Sequence, residues 1–215
     1  MATRILVATR SSHKLRELQE LLGGPARVTA APSLGNLLQV ELLSLDDLGI
    51  ADEVEETGAT FEANARLKAR AYARLSGMTT LADDSGIEVD ALGGRPGVHT
   101  RRYAGPDATD EQNNAKLLEE LAGKPPEERE ARYRCVLVLV EDGEIVETTE
   151  GEFEGRIADA PRGTGGFGYD PIFEPEAEPV GGRTVGQMTQ EEKNRVSHRA
   201  AAAHAMRERL ISRGY

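Results

Sequence analysis

Residues Leu81-Ala82-Asp83-Asp84-Ser85-Gly86-Ile87-Glu88-Val89 set two adjacent carboxylates inside an otherwise apolar, strand-like run. The pattern predicts a short strand, a turn at Ser85-Gly86, and a second run of alternating apolar residues. Neighbouring side chains of an extended chain point to opposite faces. Asp83 and Asp84 therefore enter one site only if the strand has already ended; otherwise one acid faces the chemistry and the other a structural partner. A carboxylate at a strand end, followed by a hydroxyl and a glycine, suits a divalent cation with a phosphate beside it. The same residues also suit an Asx-type turn that merely closes a strand.

Upstream, residues 4–9 form a continuous apolar run, which predicts a strand buried on both faces. Thr9-Arg10-Ser11-Ser12-His13-Lys14 follows, and Leu15, Leu18, Leu21 and Leu22 then recur on one helical face. Ser11 or Ser12 is a good N-cap. Strand, polar loop and helix N-terminus with a lysine in the first turn make an anion cradle in principle, because free N–H groups and the positive dipole end converge there. The Gly-x4-Gly-Lys spacing of a Walker loop is absent. An ordinary capped helix after a strand fits the same residues.

The balance of the chain narrows the class. It has 215 residues and a net charge of −11, which argues against a general nucleic-acid binder, whose affinity rests on neutralising phosphates. A small phosphorylated substrate stays open, because local clusters can be basic. No apolar run approaches the roughly 20 residues a membrane span needs, and Met1-Ala2-Thr3-Arg4 leads into too short an apolar stretch for a secretory signal. Cys135 is the sole cysteine, so neither an internal disulfide nor a cysteine zinc site can form. These features point to a cytoplasmic globular protein. Only five of the 26 basic residues are lysines; a chain that so prefers arginine keeps lysine where a compact point charge is wanted, which draws attention to Lys14, Lys68 and Lys193.

Along the rest of the chain, residues 23–37 are rich in Gly, Pro and Ala and predict irregular structure. Leu38 to Leu45 predicts a strand, and Asp46 to Glu56 is an acidic stretch. Thr60 caps a helix expected over about 60–76, with Phe61, Asn64, Lys68 and Tyr72 on one stripe. Gly77 ends it. His99, Arg101, Arg102 and Tyr103 form a basic-aromatic loop that suits a phosphate contact or plain surface. A helix is expected over 108–122, then two strands, Arg132 to Val140 and Glu144 to Glu154, turning at Asp142-Gly143. Arg162-Gly163-Thr164-Gly165-Gly166-Phe167-Gly168-Tyr169-Asp170-Pro171 allows close backbone approach to something flat. Phe167 and Tyr169 offer rings for a base, with Asp170 or backbone groups reading its edge; a glycine-rich loop entering the strand Ile172-Phe173 is the plainer reading. Thr189 to Glu192 is a capping box, and Ser197 caps a last helix, about 198–213. His198 and Arg199 in its first turn oppose the helix dipole, which suggests that they answer an anion. The four histidines lack metal-ligand spacing, and no Ser/His/Asp set appears.

Taken in order, Thr9-x-Ser11-x-x-Lys14, Glu55-Glu56-Thr57-Gly58, Thr60-Phe61-x-x-Asn64-Ala65-x-x-Lys68-Ala69, Ala82-Asp83-Asp84-Ser85-Gly86, Gly165 to Pro171 and Ser197-His198-Arg199 resemble the inosine/xanthosine triphosphate pyrophosphatase family, the dITP/XTP pyrophosphatases or HAM1-like NTPases. Each motif is weak alone; the ordered set spans essentially the whole chain. The resemblance implies one α/β domain over 1–215, built on an elongated mixed sheet flanked by helices, with two lobes, a central substrate cleft and a homodimeric state. It also implies Mg²⁺-dependent cleavage of deaminated purine nucleoside triphosphates (ITP, dITP, XTP) to the monophosphate and pyrophosphate. By motif position Asp84 is the catalytic acid–base residue and a metal ligand, and Glu55 is a second metal-linked carboxylate, with Glu56 the alternative of the pair. Ser85 contacts substrate. Thr9, Arg10, Ser11, Ser12, His13, Lys14 and Lys68 hold phosphate, and Arg101 stands near a further phosphate contact. Phe167, Gly168, Tyr169, Asp170, Lys193, His198 and Arg199 hold the purine. Many members have Gly-Asn where this chain has Arg10-Ser11, which removes an amide contact, and the segment 24–37 is longer than the family pattern leads one to expect.

The chemistry of the residues agrees with that implication. Mg²⁺ takes one or two carboxylates plus phosphate oxygens and water, and Asp84 with Glu55 meets that count. Lys14, Lys68 and Arg101 can neutralise charge on a leaving pyrophosphate. A site whose donors face a 6-oxo group leaves them unpaired against adenine. Two other readings compete: a relative acting on other modified nucleoside triphosphates, and a nucleotide-binding module without turnover. The purine-directed ending Ser197-His198-Arg199 weighs against the first, and the intact Asp84, Glu55 and Lys14 against the second.

Overall fold

The computed structural model describes residues 3–22 and 40–215. The segment 24–37 and the first two residues of the strand expected from Leu38 lie outside them. Among the described residues these strands and α-helices carry the architecture: β1 (Thr3–Val7), α1 (Ser12–Leu22), β2 (Val40–Leu43), α2 (Phe61–Ser76), β3 (Thr80–Val89), α3 (Asp110–Glu120), β4 (Glu130–Glu141), β5 (Glu144–Ile157), β6 (Phe173–Pro175), α4 (Gln190–Val196) and α5 (His198–Ser212). The strands form one six-stranded sheet in the order β2-β1-β3-β4-β5-β6. β1 lies parallel to both β2 and β3, and β5 lies antiparallel to β6, so the sheet is mixed and the fold α/β, as expected.

Local signals act where the sequence places them. Thr60 caps α2 by accepting from Ala63 N, and Gly77 closes it in the left-handed conformation. Asp142 and Gly143, both at positive φ, join β4 to β5 in two residues. Thr189 with Glu192 forms the expected capping box of α4, and Thr109 with Gln112 forms one for α3 that the sequence reading had not singled out. The lone β-run of the expected turn behaves differently. β3 runs unbroken through Asp83, Asp84, Ser85 and Gly86. The apolar residues on either side of the acids are fully buried, Leu81 and Ala82 before them and Ile87 and Val89 after, and Ile87 N donates to Thr100 Oγ1 at 3.0 Å. Burial at both ends of the run outweighs the local turn propensity of Ser-Gly.

The chain divides into two compact units. The first comprises Met1–Asp84, Cys135–Gly151 and Arg199–Tyr215; the second comprises Ser85–Arg134 and Glu152–His198. Ile5, Val7, Leu18, Leu81, Leu137, Leu139, Met206 and Leu210 build the core of the first. Ile87, Val89, Leu117, Tyr133, Tyr169, Ile172 and Phe173 build the core of the second. Cys135 belongs to the first core and is fully buried.

Candidate active site

In the first unit the continuity of β3 decides the fate of the two acids. Being consecutive on a strand, they face opposite ways and find different partners. Asp84 Oδ1 accepts from Lys68 Nζ at 2.9 Å. Asp83 faces Lys14, whose Nζ lies 3.2 Å from Oδ1, and Arg199, whose Nη2 donates to Oδ2 at 3.2 Å. Arg199 also donates to Glu17 Oε2 at 2.5 Å through Nη1. Glu17, Asp83 and Arg199 are all buried.

The electrostatics of the neighbours diverge accordingly. Burial pushes the Asp84 carboxyl up, and Lys68 and Lys14 pull it back only in part, so it rests above the ordinary range. Burial also works against the Asp83 carboxylate, but Lys14, Arg199 and Lys68 outweigh it and hold Asp83 well below that range. Burial disfavours the Lys68 ammonium, yet Asp84, Asp83 and Glu56 prevail and keep it firmly charged. One acid is thus a fixed anion, and the other is a carboxylate of raised basicity.

The stripe on α2 organises the acidic loop before it. Asn64 Oδ1 accepts from Gly58 N at 2.7 Å, and Tyr72 OH donates to Asp52 O at 3.0 Å. Between these anchors Glu56 Oε1 comes within 2.8 Å of Lys68 Nζ. Gly58 has to be glycine for this approach, since a Cβ there would lie 2.6 Å from Asn64 Oδ1 and 2.7 Å from the Ala63 Cβ. The carboxylate the loop delivers to Lys68 and Asp84 is that of Glu56; Glu55, carried over by motif position, is exposed. Among the described residues no three His, Cys, Asp or Glu side chains converge as a metal cage. Two carboxylates, Asp84 and Glu56, share Lys68 as cationic partner, and a Mg²⁺ held jointly with phosphate oxygens takes one or two carboxylates. The donor set fits that ion.

At the start of α1, Ser11 is the cap: its Oγ accepts from Lys14 N at 3.4 Å and its carbonyl from Leu15 N at 3.0 Å. Thr9 Oγ1 accepts from Ser11 N at 3.2 Å. Ser12 and His13 are exposed on the first turn. The Arg10 guanidinium points elsewhere, donating to Ile50 O at 2.5 Å, Asp52 O at 3.1 Å and Asp46 Oδ1 at 3.2 Å. The residue that replaces glycine in the expected pattern is therefore committed to holding the acidic loop.

In the second unit the glycine-rich loop folds around Asp170. Asp170 Oδ2 accepts from Lys193 Nζ at 2.7 Å and from Phe167 N at 2.9 Å, and Oδ1 accepts from Tyr133 OH at 3.1 Å. Gly166, at φ +72°, permits this fold, because a Cβ would lie 2.0 Å from Asp170 Oδ2. Lys193 Nζ also sits 4.3 Å from the centre of the half-buried Phe167 ring. His198 stacks on Tyr133 with ring centres 4.7 Å apart and planes within 8°. Burial, then the Asp170 carboxylate, push the Tyr133 phenol well up, so it remains a donor.

Several expected purine contacts are placed differently from the sequence reading. Tyr169 is a core residue, 2% exposed, with its hydroxyl donating to Thr100 O at 2.8 Å; the Phe167 ring is half-buried. Asp170 and Lys193 are a buried pair that shapes the loop. Arg199 pairs with Asp83 and Glu17 in the first unit. Arg101 is exposed, and Ser85 follows Asp84 on β3, half-buried. The sequence reading missed Glu17, Tyr133, Asn113 and Asn114. Glu17 could have been found as an acid beside Leu18 on the apolar face of α1, and the paired asparagines as poor helix formers inside α3.

Residues 5–209 match the model of the Ham1 family. A dITP/XTP pyrophosphatase of Geobacter sulfurreducens is 47% identical over 208 residues, 97% of this chain and 96% of that protein. Another dITP/XTP pyrophosphatase, from Geobacillus kaustophilus, is 46% identical over 92% of this chain and 89% of its own length. The solved structure of the Ham1 protein of Staphylococcus aureus aligns with a TM-score of 0.82 at 33% identity, covering 98% of this chain and 100% of that one. Fold and site define an α/β protein with a paired-carboxylate, lysine-bridged centre. The chain belongs to the Ham1 family.

Proposed function

We propose that this protein hydrolyses deaminated purine nucleoside triphosphates, ITP, dITP and XTP, to the monophosphate and pyrophosphate, removing them before they enter DNA or RNA. The observation that carries the reading is the Asp84–Lys68–Glu56 cluster: a carboxylate of raised basicity and a second acid, held together by one ammonium. The relatives at 46–47% identity named as dITP/XTP pyrophosphatases support the same reading.

Asp84 takes the proton of a water that attacks the α-phosphorus, a role its raised pKa favours. Thr9, Ser11 and the first-turn N–H groups of α1 receive phosphate oxygens, and Lys14 balances charge on the departing pyrophosphate. Asp84 and Glu56 would hold Mg²⁺, which when bound supplies Lewis-acid stabilisation of the phosphate oxygens. In the second unit the half-buried Phe167 ring is the platform for the base, and Gly168 beside it anchors the loop. The reading further places the enzyme in the cytoplasm, with its nucleotide pool, as a homodimer; no helix among the described residues is long and apolar enough to cross a membrane.

Pyrophosphate release measured across a panel of ITP, XTP, dITP, ATP and GTP with Mg²⁺ tests the proposal. Turnover of the deaminated purines well ahead of ATP and GTP is expected; equal rates on ATP would refute the specificity.

A further inference from the structure

Helix α3 grips the loop that bears Phe167, and it does so through one residue. Asp110 Oδ2 accepts from Gly168 N at 2.7 Å, and Asn114 Nδ2 donates to Gly168 O at 3.1 Å. Asp110 and Asn114 are four apart, so both lie on one face of the helix. Gly168 is thereby held at its N–H and at its carbonyl. On the other flank Phe167 N is fixed by Asp170. The Phe167 backbone is pinned on both sides, yet its ring is only half-buried. A second loop is held from the same helix: Asn113 accepts from Ala104 N at 2.8 Å and donates to Arg101 O at 3.0 Å. Asparagine is a poor helix former because its amide competes for backbone groups. Asn113 spends both ends of its amide, and Asn114 its Nδ2, on loops outside the helix.

We infer that Asp110 and Asn114 are positioning residues for the base: they fix the Phe167 platform through Gly168 without touching the substrate. The inference rests on Phe167 being the base platform, as proposed above. A platform acts alike in the ground and transition states, so loosening it raises KM and leaves kcat nearly unchanged.

The test is steady-state pyrophosphate release from ITP by the full-length protein and its Asp110→Ala, Asp110→Asn and Asn114→Ala variants. Asp110 is exposed, so Asp110→Ala keeps the fold and decides the matter even if the buried Asn114 variant is unstable. Asp110→Ala is expected to raise KM about ten-fold, the scale of one lost hydrogen bond to a charged group, with kcat within about two-fold. Asp110→Asn, which keeps an acceptor for Gly168 N, is expected to restore the wild-type KM. An unchanged KM in Asp110→Ala, or a fall in kcat equal to the fall in kcat/KM, overturns the inference. Failure of the underlying reading is separately visible in Phe167→Ala, since a wild-type KM in that variant removes the base platform itself.

Discussion

Asp84 Oδ1 lies 2.9 Å from Lys68 Nζ, a contact between a strand and a helix whose partners are 16 residues apart in the chain. Asp83, the residue before it, is turned to Lys14 and Arg199. Two like side chains one peptide apart thus carry opposite electrostatic assignments. Asp84 is pushed towards the basicity a proton acceptor needs, and Asp83 is locked as an anion.

Asp84→Asn removes the acceptor while preserving size, and is expected to lower kcat on ITP by about 10²–10⁴-fold, the range for loss of a general base. Nucleotide affinity should survive, as titration with the monophosphate product would report. If turnover persists, the catalytic role lies elsewhere, with Asp83 the first candidate.

Glu56 and Glu55 differ in placement, and their variants should differ in kind. Glu56→Gln takes a carboxylate from Lys68 and should raise the Mg²⁺ concentration needed for half-maximal turnover by about ten-fold, one pairwise charge interaction. Glu55→Gln alters an exposed side chain and should stay within about two-fold on the same titration. The opposite order would return the metal-linked role to Glu55.

Arg199 answers two buried acids at once. Arg199→Met takes the guanidinium from Glu17 and leaves Asp83 to Lys14, and is expected to cost about 3–5 kcal/mol in chemical denaturation, as for other buried pairs that lose one partner. The pH dependence has a definite sign. Asp83 has its folded pKa depressed below the ordinary 3.8, so its stabilisation is present above that value and disappears as pH falls through the folded value. Removing Arg199 weakens the depression, and acid unfolding should begin at a higher pH. A variant as stable as the parent, with unchanged acid unfolding, would show that the cluster is not coupled to stability.

Cys135 is fully buried, and burial pushes its thiol up to about 12, with Arg199 opposing and Asp83 reinforcing the shift. Its folded pKa lies above the unfolded 9.0, so the protonated thiol contributes stability below pH 9 that fades as pH rises through about 12. Native protein is expected to resist iodoacetamide at about pH 8.5 and to react stoichiometrically once unfolded, because the thiolate is the nucleophile. Rapid labelling of the native protein, followed by intact mass, would contradict this.

Much of the fold was legible because it rests on local signals. The Thr60 cap, the Gly77 stop, the Asp142-Gly143 connection and the capping box at Thr189 each act within a few residues. The stripe Phe61, Asn64, Lys68 and Tyr72 was visible by its period. Its purpose, catching the loop that carries Glu56, was not visible, because that depends on contacts such as Tyr72 OH to Asp52 O between residues 20 apart. Arg199 read as a purine contact because it adjoins His198. Its partners, Glu17 and Asp83, lie 182 and 116 residues away, and no local pattern announces them.

The sequence by itself determined the residue types of the site, their order and the elements that carry them, since periodicity, caps and turns are short-range. It also determined that Asp83 and Asp84 must part company if the strand continues, a consequence of the two-residue period of an extended chain. Only the tertiary structure decided that the strand does continue, which acid meets Lys68, that Glu56 rather than Glu55 joins it, and that Tyr169 is core while Phe167 is left half-open. Those outcomes are set by burial and by charges brought together across long stretches of chain, where one ammonium or guanidinium chooses among several carboxylates by distance and desolvation.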